Sequence, residues 1–178
     1  MNRFIIAEPQ NCIGCRTCEV ACALAHAPRP GEPLSPDTFH PRLTLIKSAR
    51  ISTPVLCRQC DDAPCLNACP SGAIVYAGNS VQVLQERCVG CKTCMVACPY
   101  GAMQVVTVPQ RPEPGSFATR QIKAKALKCD LCAGKPAGPA CIATCPTNAL
   151  RMVEPQALEA ALQKRRQQAA LDTPTLPL

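Results

Sequence analysis

This chain of 178 residues has no tryptophan, three phenylalanines and two tyrosines. The large rings that normally fill a core are scarce, and a small domain buries proportionally little surface in any case. Glycine is also sparse at nine residues, while nineteen prolines limit the length of regular elements. The only histidines are His26 and His40. Both lie in or beside a proline-rich stretch, so solvated side chains are expected there rather than ligands or catalytic bases. No stretch approaches the roughly 18 apolar residues of a membrane span. The amino end, Met1 to Glu8, has only a brief apolar run before an acid and Pro9, too short for an export signal. No G-x-G-x-x-G or G-x-x-x-x-G-K-[ST] segment occurs, which argues against flavin, nicotinamide or nucleotide binding. These absences point to a cytoplasmic protein without direct membrane insertion and with no catalytic constellation.

Cysteine is what the chain has in excess. Sixteen are present and divide without remainder into four quartets. The first is Cys12, Cys15, Cys18 and Cys22, and the second is Cys57, Cys60, Cys65 and Cys69. The third is Cys88, Cys91, Cys94 and Cys98, and the fourth is Cys129, Cys132, Cys141 and Cys145. Quartets one and three have the spacing C-x2-C-x2-C-x3-C, the comb by which bacterial ferredoxins hold cubane iron–sulfur clusters. Cys69, Cys98 and Cys145 each precede proline, as the last cysteine of that comb does. Quartet one departs here, because Cys22 is followed by Ala23 and its last turn is expected to differ. Four thiolates per cluster make four [4Fe–4S] centres. Such clusters would supply the folding energy that the sparse core cannot, and the cluster-free chain is expected to be largely unfolded.

Two blander uses of cysteine compete. A secreted disulfide scaffold is opposed by the missing export signal and the regular three-residue spacing. Zinc sites usually draw two cysteines from each of two knuckles, whereas these quartets offer three closely spaced thiols and a fourth three residues on. The formal charge of +7 invites a nucleic-acid reading, but it counts every thiol as neutral. Each cubane with four thiolates carries two negative charges, so four of them take the total to about −1. Arg16, Arg58, Lys92 and Lys128 sit in or beside the quartets and offset that charge. Nucleic acid is not expected as a partner.

Phe4-Ile5-Ile6 reads as a strand, and Glu19 to Ala25 as the short helix after the first comb. Residues 27 to 41 form an irregular loop with five prolines. Arg42 to Lys47 alternates as a second strand. Ala73–Tyr76 and Val81–Leu84 flank Gly78-Asn79 and predict a hairpin. Met103–Val106 and Leu150–Val153 read as further strands, separated by an irregular connection over 109–120 and the fourth quartet. The segment Ala133–Ala140 is a glycine–proline surface loop. Glu154-Pro155 opens a terminal helix running to about Leu171, with proline in its first turn. Tyr100 is expected to pack beside a cluster.

In two-cluster ferredoxins the fourth cysteine of each comb ligates the other comb's cluster, so quartets must pair. Only 18 residues separate Cys69 from Cys88, against 34 between the first two quartets and 30 between the last two. The shortest connection makes quartets two and three an inner ferredoxin-like module, residues 54–108. Quartets one and four then form an outer module from 1–53 and 109–153, with 154–178 as a terminal helix and tail. The expected fold is α+β: two ferredoxin-like modules, the inner inserted into the outer, with short strands and helices and long loops. The ligand sets follow. One is Cys12, Cys15, Cys18 and Cys145; its neighbour is Cys22, Cys129, Cys132 and Cys141. The inner module supplies Cys57, Cys60, Cys65 and Cys98, then Cys69, Cys88, Cys91 and Cys94.

The order of two regular combs alternating with C-x2-C-x4-C-x3-C-P and C-x2-C-x8-C-x3-C-P resembles the four-cluster electron-transfer subunits of molybdenum and tungsten oxidoreductases. The segments CIGCRTCEVAC, VLCRQCDDAPC, QERCVGCKTCMVACPYGAM and GPACIATCPTNAL are similar to the branch that serves formate metabolism, including formate hydrogenlyase. The resemblance runs from Met1 to about Arg166. It implies an electron-transfer subunit without a substrate site. The implied partners are a molybdopterin-dependent formate dehydrogenase catalytic subunit and a nickel–iron hydrogenase. Three roles compete. A catalytic cluster is disfavoured, because sixteen thiols leave no iron open. A maturation factor for formate dehydrogenase remains a rival to electron transfer. So does the equivalent subunit of a carbon monoxide dehydrogenase or another molybdopterin oxidoreductase.

Overall fold

The computed structural model describes residues 1–27, 31, 33–109 and 122–172. The irregular connection expected over 109–120 lies outside the described residues except for Pro109, as do Pro28 and Pro30 of the first loop and the tail beyond Asp172. The architecture is α+β, built from short strands and helices. Among the described residues the strands form four two-stranded antiparallel pairs rather than one sheet.

Strand β1 (Phe4–Ala7) pairs with β8 (Leu150–Val153), with Ile5 opposite Met152 and Ala7 opposite Leu150, so segments from far apart in the chain meet. Strand β2 (Thr44–Lys47) turns at Ser48–Ile51 into β3 (Ser52–Val55). The sequence does not signal β3, because Pro54 has no N–H and normally demotes a strand. A two-stranded ribbon is all edge, so proline is tolerated opposite Leu45. The Gly78-Asn79 hairpin forms as expected from β4 (Ile74–Ala77) and β5 (Ser80–Val83). Both turn residues have positive φ, 57° and 56°, as a type I′ turn demands. Strand β6 (Gln104–Pro109) is longer than its sequence pattern and pairs with β7 (Ile122–Leu127). Strand β7, rich in lysine and alanine, carries little strand propensity and is held by its partner.

The cysteine loops repeat one backbone design. Gly14 (φ 70°) and Arg16 (φ 62°) in the first comb match Gly90 (φ 73°) and Lys92 (φ 66°) in the third. At Gly90 the glycine is required, because an added Cβ would lie 2.3 Å from the Ala124 Cβ of β7. After the left-handed residue each comb enters a helix, α1 (Thr17–Ala25) or α3 (Thr93–Ala97). Pro99 drives Cys98 out of the helical region to φ −77°, ψ 112°, so α3 stops short. Cys22 has no proline behind it and stays inside α1, which confirms that the first quartet ends differently. In quartets two and four, α2 (Pro64–Asn67) and α4 (Ala140–Ala143) hold the third cysteines, Cys65 and Cys141.

Apolar packing falls into two clusters. The first joins Ile5, Leu43, Leu56, Leu131 and Leu150 with Cys18, Cys22, Cys129 and Cys141. The second joins Ala63, Ile74, Val81, Met103 and Ala126 with Cys65 and Cys94. Thiols thus occupy core positions that rings would normally fill. Strand β7 falls by number in the segment expected for the outer module, yet Ala126 packs in the second cluster with the inner residues. The terminal helix α5 (Pro155–Leu171) buries none of its residues.

Candidate metal centre

All sixteen cysteines are free thiols in this structure. Two cavities are lined by cysteine. One gathers Cys12, Cys15 and Cys18 from the first comb with Cys145 from the fourth quartet, under Leu45, Pro54 and Leu150. The other gathers Cys88, Cys91 and Cys94 with Cys69, under Ile74, Val83 and Val105. Packing of α1 on α4 and of α2 on α3 brings these quartets together.

The remaining thiols are the more deeply placed ones. Burial pushes Cys141 upward, and the sulfurs of Cys129, Cys22, Cys132 and, more weakly, Cys18 add repulsion. Burial likewise takes Cys129 to about 12 and Cys65 to about 11, as it does Cys18 at the back of the first cavity. Cys65 is further raised by Cys57, Cys98 and Cys94. Thiols so protonated are inert unless a metal takes the proton's place.

Hydroxyl groups beside sulfur separate the two lined cavities from the remaining thiols. The Thr17 hydroxyl donates to Cys15 Sγ at 3.3 Å, and the Thr93 hydroxyl donates to Cys91 Sγ at 3.3 Å. These contacts are the main cause of the lowered Cys15 and Cys91 thiols. Ser71 Oγ lies 3.6 Å from Cys69 Sγ, and Thr147 Oγ1 lies 3.8 Å from Cys145 Sγ. There burial raises the thiols, but the hydroxyls and nearby backbone N–H groups outweigh it. Each cavity therefore has two hydroxyls, always two residues after the cysteine. That Cys-x-Ser/Thr spacing stands in the sequence as a usable signal. Backbone amides also serve: Arg42 N–H reaches Cys22 Sγ at 3.2 Å, Gln59 N–H reaches Cys57 Sγ at 3.4 Å, and Ala149 N–H reaches Cys145 Sγ at 3.3 Å. A donor set of sulfur alone, ringed by N–H and O–H groups, fits an anionic iron–sulfur cluster.

Some expectations need correction. His26 is not solvated. It caps α1, its Nδ1 stands 2.8 Å from the Cys22 carbonyl oxygen, and its Nε2 stands 3.1 Å from Asp130 Oδ1. Burial lowers the His26 pKa, but Asp130 and Cys22 outweigh it and hold it at about 9. Burial raises Asp130, yet His26 and Arg42 bring it down to about 2. Arg42 closes this ion pair from the other side. The trio clamps the start of β2 to the fourth quartet. Tyr100 is half exposed, with the Arg58 guanidinium 6.0 Å from its ring centroid. Arg16 pairs with buried Glu19 at 2.9 Å, and Glu19 in turn accepts the Leu45 N–H at 2.7 Å.

Models of the 4Fe-4S binding domain match residues 9–25 and 81–104, the two regular combs. The electron transport protein HydN of Escherichia coli (strain K12) is 53% identical over 173 residues, covering 96% of this chain and 99% of that protein. The chain belongs to the HydN-type family of ferredoxin-like iron–sulfur electron-transport proteins. A second relative from the same organism, the putative electron transport protein YsaA, is 49% identical, with 86% of this chain and 91% of that protein covered. Hydrogenase-4 component A, also from E. coli K12, is 35% identical over 96% of this chain and 91% of its own length. Membership of this family makes the chain an iron–sulfur protein of electron transfer. No helix among the described residues is long and apolar enough to cross a membrane.

Proposed function

We propose that the chain carries four [4Fe–4S] clusters and relays electrons from a molybdopterin-dependent formate dehydrogenase to an acceptor such as a nickel–iron hydrogenase. The observation that carries this reading is the pair of thiol-lined cavities, each joining three cysteines of a regular comb to one cysteine of another quartet. Their membership is that of the crossed ligand sets: Cys12, Cys15, Cys18 with Cys145, and Cys88, Cys91, Cys94 with Cys69. Mutual repulsion among Cys22, Cys129, Cys132 and Cys141 supports the third set. That among Cys57, Cys60, Cys65 and Cys98 supports the fourth.

The two apolar clusters support an outer module, 1–53 with 109–153, and an inner one, 54–108, with Leu56 packing in the first cluster and Ala126 of β7 in the second. The described residues 154–172 belong to neither cluster. A four-thiolate cubane supplies one-electron transfer with no open iron for substrate. Around it, Thr17, Ser71, Thr93 and Thr147 hold charge on sulfur, and leucines and valines line the cavities. The segment resemblance supports formate metabolism, and the similarity to hydrogenase-4 component A supports a hydrogenase as acceptor.

Anaerobic purification should yield about sixteen irons and sixteen sulfides per chain. Formate with catalytic amounts of formate dehydrogenase should then bleach the visible absorption at a rate set by that enzyme, about two formates being consumed per chain. Clusters that formate never reduces, in a protein still needed to activate the dehydrogenase, would mean a maturation role instead.

A further inference from the structure

Lys128 and Gln59 are 2% and 1% exposed and lie where the two apolar clusters meet. Gln59 belongs to the second quartet, Lys128 precedes Cys129 of the fourth, and Val81 comes from the hairpin between the second and third. The Lys128 ammonium donates to Cys129 O at 2.8 Å, to Gln59 Oε1 at 3.2 Å and to Val81 O. Three acceptors meet three N–H donors, the full capacity of an ammonium; a neutral amine would leave one oxygen facing a lone pair. Gln59 is fixed for this task, since its Nε2 donates to Cys129 O at 2.7 Å and its Oε1 accepts the Val81 N–H at 2.8 Å. Among the described residues no carboxylate forms an ion pair with Lys128.

A buried cation without a carboxylate is costly and calls for another counter-charge. Sulfur supplies it from both sides. The ammonium sits on the Cys129 carbonyl and on the side chain of Gln59, whose own backbone N–H donates to Cys57 Sγ at 3.4 Å. Cys57 and Cys129 belong to different ligand sets, Cys57/Cys60/Cys65/Cys98 and Cys22/Cys129/Cys132/Cys141.

Resting on the four-cluster reading, we propose that Lys128 is a positioning charge shared by these two deeper sites and raises the reduction potential of both. Each reduction adds one electron, delivered from the neighbouring site, and no proton. The fixed positive charge stabilises the added negative charge, and burial keeps salt from screening it. The two deeper sites thereby hold an added electron more readily than they would without the charge.

The test is a mediated dithionite titration of the full-length holoprotein followed by EPR. Wild type is compared with Lys128→Met and with Gln59→Glu, which sets a carboxylate beside the ammonium. In Lys128→Met two of the four one-electron reductions should shift, with about a tenfold lower ratio of reduced to oxidised centre at a fixed potential, about 59 mV. The other two should stay in place. Gln59→Glu should move the same two in the same direction, and it decides the matter if Lys128→Met fails to assemble. Potentials that do not move in either variant, or four that move together, would overturn the assignment. A wild-type protein lacking four such reductions would sink the electron-relay reading itself, and this inference with it.

Discussion

Cys22 lies within α1, buried, with the Arg42 N–H at 3.2 Å from its sulfur and the His26 ring 3.8 Å away. Its three chain neighbours in the first comb face one cavity, and Cys22 is not among that cavity's lining. Cys22→Ala should therefore remove about four irons and four sulfides, one cubane. The EPR signal lost should match the one lost in Cys129→Ala and differ from that lost in Cys12→Ala. A match to Cys12→Ala would undo the crossed ligation. Thiols were the legible residues because their spacing is fixed by the cluster they hold. Gln59 and Lys128 were not legible as a pair, since 69 positions separate them and nothing local marks a glutamine as buried. His26 misled for a related reason: neighbouring prolines suggest solvent, while its partner Asp130 lies 104 positions away.

Elements of the fold divide into those set by local rules and those set by a partner. The β4–β5 hairpin and the proline-terminated turn after Cys98 follow from Gly78-Asn79 and from Pro99, so both could be read locally. Strands β3 and β7 could not, because Pro54 and the lysines of β7 gain strand geometry only through pairing. Gly90 shows the same dependence and permits a graded test. Gly101→Ala, with φ 60° and open space around it, should cost about 1–2 kcal/mol from backbone strain alone. Gly90→Ala adds a clash with Ala124 and should cost about 1–3 kcal/mol more. Anaerobic thermal bleaching should show the larger drop in midpoint for Gly90→Ala; equal drops would mean that β7 yields freely. Helix α5 is the opposite case. Since it buries nothing, ending the chain after Glu154 should leave iron content unchanged and stability within about 0.5 kcal/mol. A loss of iron in that truncation would show that α5 supports the metal sites.

Taken as a whole, the molecule has two small cores in which thiols stand among leucines, isoleucines and alanines. Removing iron leaves these cores as sets of buried sulfurs with nothing to bind, and metal energy is folding energy in such domains. Chelation under anaerobic conditions should abolish the visible absorption and most of the far-ultraviolet circular dichroism together. A cluster-free chain that still melted cooperatively would contradict this. The pairing of β1 with β8 also has a bearing on synthesis. Under the crossed ligation the first comb leaves the ribosome early and waits for Cys145, whereas the residues from 54 to 108 hold two complete ligand sets of their own. A translating ribosome that stalled between these points would release a half-loaded protein, with its middle metallated and its opening comb one thiol short and exposed to oxygen.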